Sequence, residues 1–497
     1  MSGVRKSFGA FRALDDASLD VKWGEVHAIL GENGAGKSTL MNVAAGLYSA
    51  DAGSLAIDGQ ACSFSGPRDA IAHGVGMIHQ HFKLVNRFNA VENVLLASPR
   101  SSYRRGLAEV SREVRRQADA IGFPVDLHRP VGTLSVAEQQ RVEILKALVT
   151  GARILILDEP TAVLADDEAK KLLQTVSNLA RSGIAAVLIT HKLRDVQAFA
   201  DRVTVMRAGR TVAVVDARTA TSDELTMLAV GSKIVPPSRT GQSSGTDRLI
   251  VRGLSSSGSE GPKLRQVSFS VRAGEIYGIA GVGGNGQTEL TDILAGARKP
   301  TAGTIELLQP SGGRVDLTSG GPGDRIDSGF ATVPADRHGQ AIASSLSVAE
   351  NYAIAHMDEG RLGPWYFASR TAMRKMADIA IREADVQGVR SVFQRVGLLS
   401  GGNAQKLVME REFSREPSII VVHSPSRGLD VRACAAIHRR LLAARDDGVA
   451  VVLISEDLDE VLGLSDRIGV MAAGKIVAEF DAPADRQAIG RAMVGHV

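Results

Sequence analysis

The 497-residue chain has little cysteine, no long apolar run and no marked excess of charge of one sign. Its two cysteines, Cys62 and Cys434, stand far apart with no CxxC partner or flanking histidine pair. That spacing argues against a disulfide framework or a zinc-type site and suits a reducing cytosol. No run approaches the roughly 18 apolar residues that span a bilayer, and the first residues lack the apolar core of a signal peptide. If the protein acts at a membrane, we expect other chains to hold it there.

The charge balance gives no sign of a polyanionic partner. Lysine and arginine total 58 and aspartate and glutamate total 55, so the formal net charge is +3. Nucleic-acid-binding proteins usually carry a concentrated basic face, and no long Lys/Arg run is present. The chain is therefore not expected to bind nucleic acid. Its 44% hydrophobic and 23% charged residues are typical of a globular protein.

What the chain does contain is a repeat of itself. The matching segments are Gly24-Glu25-Val26 with Gly274-Glu275-Ile276, Leu134-Ser135 with Leu399-Ser400, and Ala208-Gly209-Arg210 with Ala473-Gly474-Lys475. The spacing between matching segments grows only from 250 to 265 residues along the chain. Such regular spacing, lengthened only by small insertions, indicates two copies of one domain.

A polar stretch rich in proline, glycine and serine separates the two copies. It begins at Pro236-Pro237 and continues through residues 241–245. This composition suits a short flexible linker. We therefore predict a first domain over residues 1–234, a linker over 235–247 and a second domain over 248–497.

Each copy alternates short apolar runs with helical patterns, which predicts an α/β fold around a mostly parallel sheet. The clearest candidate strands are residues 26–30, 154–157, 186–190 and 419–422. Residues 98–132 and 356–397 have helical patterns. We expect them to form a helical subdomain appended to each sheet.

The first copy carries the sequence of a phosphate-binding loop. Residues 31–38, Gly-Glu-Asn-Gly-Ala-Gly-Lys-Ser, match G-x-x-x-x-G-K-[ST] between a predicted strand and a helix. Glycines let backbone N–H groups wrap the phosphates, and the helix N-terminus adds a favourable dipole. Lys37 would reach the β- and γ-phosphates, and Ser38 would ligate Mg²⁺. The residues of this segment assigned to nucleotide binding are Gly31, Asn33, Gly34, Gly36, Lys37, Ser38 and Thr39.

An apolar strand that ends in two carboxylates supplies the acidic partners. Residues 154–159 read Ile-Leu-Ile-Leu-Asp-Glu. Asp158 would hold Mg²⁺, and Glu159 would polarise the attacking water. Alone, the pattern could be a strand followed by an acidic turn. The phosphate loop upstream favours the catalytic interpretation.

With these motifs the chain resembles the ABC ATPase family over nearly its whole length. Residues 134–141, Leu-Ser-Val-Ala-Glu-Gln-Gln-Arg, resemble the family's signature sequence. By the same resemblance, Gln80 is the Q-loop glutamine that contacts Mg²⁺ or the attacking water and senses the membrane subunit. His191 is then the switch histidine at the γ-phosphate. The resemblance implies that the protein binds ATP and Mg²⁺ and hydrolyses ATP.

Phe8 resembles the aromatic residue that stacks on adenine in this family, although a core position is the alternative. Because the chain begins so close to Phe8, we expect the family's first strand to be largely missing. The expectation that follows is a start codon upstream of Met1.

The second copy keeps the loop but loses its chemistry. Residues 281–288 retain the glycines, yet Gln287 stands where the first copy has its lysine. The strand at 419–422 is followed by His423 and Ser424 instead of two carboxylates. The places of the Q-loop glutamine and the switch histidine are taken by Ala335 and Glu456. Since phosphate- and metal-handling groups are gone, independent hydrolysis is not expected here.

The signature segments show the opposite asymmetry. The second copy has a clean Leu-Ser-Gly-Gly-Asn at residues 399–403, whereas Ala137 replaces the second glycine in the first copy. In this family two domains pair head to tail, and each signature caps the other domain's phosphate loop. The resemblance therefore predicts one competent site. From the second copy it assigns to that site Ser400, Gly401, Gly402, Asn403 and the D-loop residue Asp430.

Tandem ATPases of this family include importer subunits, translation factors and DNA-repair proteins. Translation factors usually carry a long charged linker and two intact sites, and the repair ATPases carry zinc-type cysteine clusters. The sequence has none of these features. We expect an importer ATPase, peripheral on the cytoplasmic face of the membrane, with a soluble translation ATPase as the alternative. Its implied partners are two integral-membrane permeases and, indirectly, an extracytoplasmic substrate-binding lipoprotein.

Among importers, the fused arrangement, the Gly-Asn-Gly-Gln second loop and the LSGGN signature resemble the simple-sugar and nucleoside subfamily. Three segments, residues 79–82, 134–141 and 455–458, resemble its nucleoside branch more than its ribose or galactose branch. A pentose or hexose is the alternative substrate. No substrate pocket is expected in this chain, because the binding protein and the permeases recognise the substrate.

Overall fold

The computed structural model describes residues 1–9, 11–79, 82–98, 106–123, 126–161, 164, 166–190, 192–231, 245–258, 261–360, 362–363 and 368–493. The chain divides into two compact units, Met1–Ile234 and Val235–Val497. Most of the linker predicted at residues 235–247 lies outside the described residues. Its last residue, Asp247, begins the first strand of the second unit.

Strands of the first unit form two sheets. They are β1 (Ser2–Phe8), β2 (Phe11–Ala17), β3 (Val26–Leu30), β4 (Ala52–Ile57), β5 (Gln60–Cys62), β6 (Val75–Ile78), β7 (Ile154–Asp158), β8 (Ala185–Ile189), β9 (Arg202–Arg207) and β10 (Arg210–Asp216). A six-stranded sheet has the order β10-β9-β3-β8-β7-β6 and is parallel except for the pair of β9 and β10. A four-stranded antiparallel sheet has the order β2-β1-β4-β5.

The helices of the first unit are α1 (Lys37–Ala44), α2 (Pro67–Ala72), α3 (Ala90–Ala97), α4 (Leu107–Ala120), α5 (Val136–Val149), α6 (Asp166–Arg181), α7 (Leu193–Phe199) and α8 (Ser222–Val230). Helices α3, α4 and α5 share a small core of their own, which includes Val94, Val114 and Val142. A helical subdomain is therefore present, but only α4 lies within the predicted segment 98–132, and α3 and α5 flank that segment.

The second unit repeats the same arrangement. Its strands are β11 (Asp247–Gly258), β12 (Gly261–Arg272), β13 (Ile276–Gly281), β14 (Ala302–Leu308), β15 (Arg314–Asp316), β16 (Phe330–Val333), β17 (Ile419–His423), β18 (Ala450–Ser455), β19 (Arg467–Ala472) and β20 (Lys475–Asp481). The six-stranded sheet runs β16-β17-β18-β13-β19-β20, again parallel except for its last pair. The four-stranded antiparallel sheet runs β12-β11-β14-β15.

The helices of the second unit are α9 (Gln287–Leu294), α10 (Pro322–Asp327), α11 (Val348–Ala353), α12 (Arg370–Glu383), α13 (Gly401–Phe413), α14 (Val431–Asp446), α15 (Leu458–Leu464) and α16 (Arg486–Met493). A π-helical turn, Arg337–Ala341, follows β16. None of the helices in the described part of the chain is both long enough and apolar enough to span a membrane.

The parallel strands at the centre of each sheet are buried on both faces, which explains their continuous apolar sequences. Every residue of β3 and β8 is buried. On one face, Leu188 packs with Leu172 and other residues of α5 and α6. On the other face, Ile29 packs with Leu14 of the antiparallel sheet and with α1. The core of the unit therefore lies on both sides of this sheet.

The predicted α/β fold with a mostly parallel sheet is confirmed in both units, and the antiparallel sheets are an addition to it. The expectation that the first strand is largely missing is wrong. Ser2–Phe8 form β1, which pairs with both β2 and β4. Seven residues are enough for this strand, because it has a partner along each edge.

Candidate functional site

The loop between β3 and α1 is held tightly against its neighbours. Gly34 and Gly36 have φ angles of 83° and 98°, in the left-handed region that favours glycine. A Cβ on Gly36 would lie 2.7 Å from Leu14 Cδ2, and one on Gly31 would overlap the Met206 carbonyl. The glycines that the motif requires are therefore also the residues that let the loop fit between β2 and β9.

Lys37 opens α1 and lies inside this loop. Only 6% of the residue is exposed. Its Nζ donates to the Gly31 carbonyl at 2.7 Å and to the Glu32 carbonyl at 3.0 Å. The ammonium thus closes the loop on itself and concentrates positive charge at the N-terminus of α1. That is the place where a helix dipole already favours an anion.

Ser38 and Asp158 are brought together from distant parts of the sequence. The Ser38 hydroxyl donates a hydrogen bond to the Asp158 carboxylate at the end of β7. Burial, and then the neighbouring Glu159 carboxylate, raise the pKa of Asp158 to about 6, while Ser38 and Lys37 oppose the shift. A hydroxyl and a carboxylate in contact are hard oxygen ligands of the kind that Mg²⁺ prefers. The residues therefore fit the ion.

Glu159 follows Asp158 in a strained backbone conformation. Its φ is 48°, which is uncommon for a residue with a side chain. Its backbone N–H donates to the Ile189 carbonyl of the adjacent strand β8 at 2.9 Å, which holds the residue in place. Such strain costs about 1–3 kcal/mol and concentrates at active sites.

No group of three or more His, Cys, Asp or Glu residues within the described ranges could hold a metal ion by itself. Mg²⁺ usually binds through one or two carboxylates together with substrate phosphates. The pair formed by Ser38 and Asp158 fits that mode, in which phosphate oxygens complete the coordination.

Of three other predicted site residues, the structure describes only Phe8. Phe8 is 44% exposed at the end of β1, with its ring edge-on to Tyr48 at 5.2 Å, so it is not a core residue. Its stacking on adenine stays a prediction. Gln80 and His191 lie outside the described residues, and their roles also stay predictions.

In the second unit the loop keeps its shape without its charge. Gly284 and Gly286 have φ angles of 89° and 106°, close to those of their counterparts. Gln287 Nε2 donates to the Val282 carbonyl at 2.9 Å, which repeats the loop-closing bond of Lys37 with a neutral amide. In addition, the Glu456 carboxylate lies 2.9 Å from where a Cβ on Gly283 would stand. Negative charge thus borders this loop.

The end of β17 is neutral as well. His423 is buried and its Nδ1 lies 3.1 Å from the Thr291 hydroxyl. Burial, and then the charge of Arg427, lower the pKa of His423 to about 4, so the imidazole is uncharged near neutral pH. Ser424 keeps the strained backbone of Glu159, with φ of 46°, but has no carboxylate. The second unit retains the scaffold and lacks the acid.

The two signature helices differ at their first turns in a way that the sequence analysis missed. Ser135 caps α5 in a capping box with Glu138, whose carboxylate accepts from the Ser135 N–H at 2.8 Å. That hydrogen bond, the largest cause, lowers the pKa of Glu138. In α13, Ser400 is the N-cap and accepts from the Asn403 N–H. The neutral Asn403 side chain replaces the glutamate, and its Nδ2 donates to the Ser400 hydroxyl at 2.9 Å. The S-x-x-E pattern in the sequence could have revealed this difference.

The predicted signature and D-loop residues of the second unit lie close together. A Cβ on Gly402 would stand 3.1 Å from the Ala433 Cβ, so this glycine faces α14. Asp430 caps α14 by accepting from the Ala433 N–H at 2.8 Å. The Cα of this glycine therefore packs against α14, and its assignment to the nucleotide stays a prediction.

A model of the ABC transporter family matches residues 14–162 and 264–427 of the chain. The chain belongs to this family. It is 40% identical to the glucose import ATP-binding protein TsgD13 of Haloferax volcanii, over 100% of this chain and 95% of that protein. It is 38% identical to the nucleoside import ATP-binding protein NupA of Lactococcus lactis subsp. cremoris, over 100% of this chain and 97% of that protein.

The ribose import ATP-binding protein RbsA 2 of Rubrobacter xylanophilus is 37% identical, over 97% of this chain and 91% of that protein. Among solved structures, the archaeal ribosome recycling factor aABCE1, in complex with the stalk protein aP1, has a TM-score of 0.66 at 20% identity. It covers 99% of this chain and 92% of that chain, and at this identity it shows the fold alone. The predicted family and ATPase activity are confirmed, and the full-length relatives are import ATP-binding proteins.

Proposed function

We propose that this chain powers the import of a nucleoside or a simple sugar by hydrolysing MgATP at the first unit. The observation that carries the proposal is the set of charged groups gathered there. Lys37 lies in the loop, Ser38 contacts Asp158, and Glu159 follows on the same strand end. Relatives over the whole length of the chain are named for glucose, nucleoside and ribose import, which supports this substrate class.

Each residue of the first unit has a distinct part in the proposed reaction. The loop N–H groups and Lys37 bind the β- and γ-phosphates and neutralise their charge. Glu159 orients the attacking water and draws off its proton. Ser38 and Asp158 would hold Mg²⁺, which when bound stabilises the charge on the transferred phosphoryl group. Gln80 and His191 are assigned to the attacking water and the γ-phosphate.

The second unit is proposed to bind nucleotide without hydrolysing it. Its loop still presents backbone N–H groups, but Gln287, His423 and Ser424 offer neither a cation nor a general base. The residues that we assign to nucleotide binding from this unit, on the family resemblance, are Ser400, Gly401, Gly402, Asn403 and Asp430. Phe8 of the first unit is assigned to adenine by the same argument.

Import also needs a path across the membrane, so we propose two permeases and an extracytoplasmic binding lipoprotein as partners. The second unit has a groove of about 450 Å³ for such contact, lined by residues 340–343, Ile354 and Arg411. Met357, in the same 3-10 helical segment as the lining residue Ile354, is 56% exposed. We assign this groove to a helix of a membrane subunit, which would hold the chain at the cytoplasmic face of the membrane.

Uptake measurements test the proposed substrate class. The gene is deleted, and the cells are given labelled adenosine, guanosine, ribose and galactose separately. Loss of nucleoside uptake, restored by the wild-type gene and not by Glu159→Gln, is the expected result. Normal nucleoside uptake with lost sugar uptake would shift the substrate to the sugars. Unchanged uptake of all four compounds would contradict the proposed substrate class.

A further inference from the structure

Arg337 of the second unit links three segments that are far apart in the sequence. It begins the π-helical turn after β16, two residues beyond Ala335, which stands at the place of the Q-loop glutamine. Its Nη1 donates to the Arg427 carbonyl at 3.1 Å. Arg427 lies in the turn that leads to Asp430. One guanidinium thus connects the turn after β16 with the D-loop.

The same guanidinium lies against the start of the signature helix. A Cβ on Gly401 would stand 2.9 Å from Arg337 Nη2, so a side chain at the first residue of α13 would displace the end of the guanidinium. Arg337 Nε is buried and has no hydrogen-bond partner. Burial, and then the charge of Arg427, lower the pKa of Arg337. Burying a cation costs free energy unless hydrogen bonds or an ion pair compensate for it, and the hydrogen bond to the Arg427 carbonyl compensates only in part.

The other end of the π-helical turn lines the groove. Residues 340–343 form part of the groove wall. Arg411 Nη1 donates to the Ala341 carbonyl at 2.8 Å, and Asn351 accepts from the Ala343 N–H at 2.8 Å. The groove and the signature helix are therefore joined by one short segment that is hydrogen-bonded at both ends. π-Helical turns are rare and often occur at functional sites.

The first unit lacks this arrangement. Counted from the Q-loop positions, Phe82 stands where the second unit has Arg337. Counted from the signature serines, Val136 stands where the second unit has Gly401. Arginine thus occurs with glycine in one copy, and phenylalanine occurs with valine in the other. The unit with the intact signature is also the unit with the guanidinium.

We propose that Arg337 is a positioning residue for ATP hydrolysis. It fixes the N-terminus of α13 and the turn before Asp430 relative to the segment that lines the groove. In the second unit it takes over the linking task of the missing Q-loop glutamine. It acts on the signature and D-loop residues and does not itself touch metal. The inference rests on the proposed function, because it assigns those residues to the bound nucleotide.

The first test compares Arg337→Gln and Arg337→Lys in the full chain. The control is His338→Gln, a change at the exposed neighbour in the same turn. A hydrogen bond from a charged donor is involved, so we expect Arg337→Gln to lower kcat for MgATP about tenfold or more with KM changed less than about threefold. Arg337→Lys keeps a charged donor and should recover part of kcat. The control should match the wild type.

A double-mutant cycle with Gly401→Ala gives the sharper test. The added methyl group should displace the guanidinium and lower kcat in the wild-type background. In the Arg337→Gln background the same change should lower kcat by a smaller factor than in the wild-type background, because the contact with the guanidinium is already gone. Equal losses in both backgrounds would overturn the inference, as would wild-type kcat for Arg337→Gln.

A readout that does not depend on turnover separates this inference from the proposed function. Hydrogen exchange of residues 404–407, the first backbone-bonded amides of α13, should be faster in the nucleotide-free Arg337→Gln chain than in the wild type and His338→Gln. Unchanged exchange would overturn the inference. If the wild type shows this protection but has no ATP turnover, the proposed function fails while the contact stands. Equal losses of kcat and thermal midpoint in Arg337→Gln and Arg337→Lys would indicate a purely structural residue and also overturn it.

Discussion

Glu159 and Ser424 share a strained backbone conformation, but the first residue has a carboxylate and the second has only a hydroxyl. Both follow a central strand with φ near 47°, at 48° and 46°. Strain of this kind is retained where the surrounding structure requires it. Only the first unit places a carboxylate at the strained position, which supports the proposed role of Glu159 in orienting the attacking water. The sequence identified Glu159 from its neighbours, whereas the strain is visible only in the structure.

Glu159→Gln should lower ATP turnover by about 10²–10⁴, since it removes the general base while keeping the shape of the side chain. The matched change Ser424→Ala should alter turnover by less than about threefold. Phosphate release from the full chain measures both. A near-normal rate for Glu159→Gln together with a large loss for Ser424→Ala would place hydrolysis in the second unit and contradict the proposed assignment.

Lys37→Gln separates the two tasks of the loop lysine. Gln287 shows that an amide can make the loop-closing bond to the backbone, so the variant should keep its thermal midpoint. It lacks the cation, so ATP affinity and turnover should both fall at least about tenfold. Gln287→Ala is the control and should leave turnover within about threefold of the wild type. ATP binding by calorimetry and phosphate release check the result, and normal affinity in Lys37→Gln would contradict it.

His423 should make the second unit sensitive to acid. Its folded pKa of about 4 lies below the ordinary value of 6.5, so the unfolded chain binds protons that the folded chain excludes. The neutral imidazole therefore costs the folded state little well above pH 6.5, and the free energy of unfolding falls as the pH drops from 6.5 toward 4. Between pH 7 and 5 the loss is about 2 kcal/mol.

His423→Gln should remove that share of the pH dependence, since the amide cannot be protonated and can still hydrogen bond Thr291. Urea unfolding at pH 7 and pH 5, followed by hydrogen exchange of β17 and β18, measures the difference. The same pH dependence in both proteins would mean that other groups are responsible.

At the scale of the element, α5 and α13 are two versions of one signature helix with different charge at the first turn. Glu138 places a carboxylate at the N-terminus of α5, where it competes with any phosphate for the helix dipole. Asn403 leaves the N-terminus of α13 neutral. Like the replacement of glycine by Ala137, this contrast makes the signature of the first unit less suited to a phosphate than that of the second unit.

Exchanging these residues tests whether the charge of the first turn matters. Asn403→Glu should build the capping box of α5 into α13 and lower ATP turnover about tenfold, because a carboxylate then faces the phosphate-binding end of the helix. Glu138→Asn should leave turnover nearly unchanged. Steady-state phosphate release compares the two. Equal effects would mean that the two signatures contribute alike.

At the scale of the whole molecule, two units with the same sheet order have diverged in their sites. The six-stranded sheets correspond strand for strand, from β6 to β16 at one edge and from β10 to β20 at the other. The scaffold is therefore retained in both copies, while the hydrolytic groups remain in one.

The purified chain should bind MgATP but turn it over slowly until its membrane subunits are present. If docking and nucleotide binding favour the same conformation, they share one coupling free energy, typically 1–3 kcal/mol. Adding the permeases in lipid should therefore raise turnover by about 5–150-fold. Turnover that is already maximal in the isolated chain, and unchanged by the permeases, would contradict this coupling.

The sequence by itself determined the repeat, the α/β fold, the phosphate loop and the acidic strand end. These features are local in the chain, because each is a short run of residues whose spacing has its own physical meaning. Residues 31–38 can be recognised without knowing what packs against them, and so can the carboxylates at 158–159. The loss of those groups in the second copy was visible for the same reason.

Only the tertiary structure decided the contacts between residues that are distant in sequence. It placed Ser38 on Asp158 and Arg337 on Gly401. It also packed Gly402 against α14 and paired β1 with β2 and β4. No spacing rule predicts such contacts, since they depend on how sheets and helices pack after each element has formed. The sequence therefore determines which charged groups each site contains, and the packing of the folded chain determines where those groups lie.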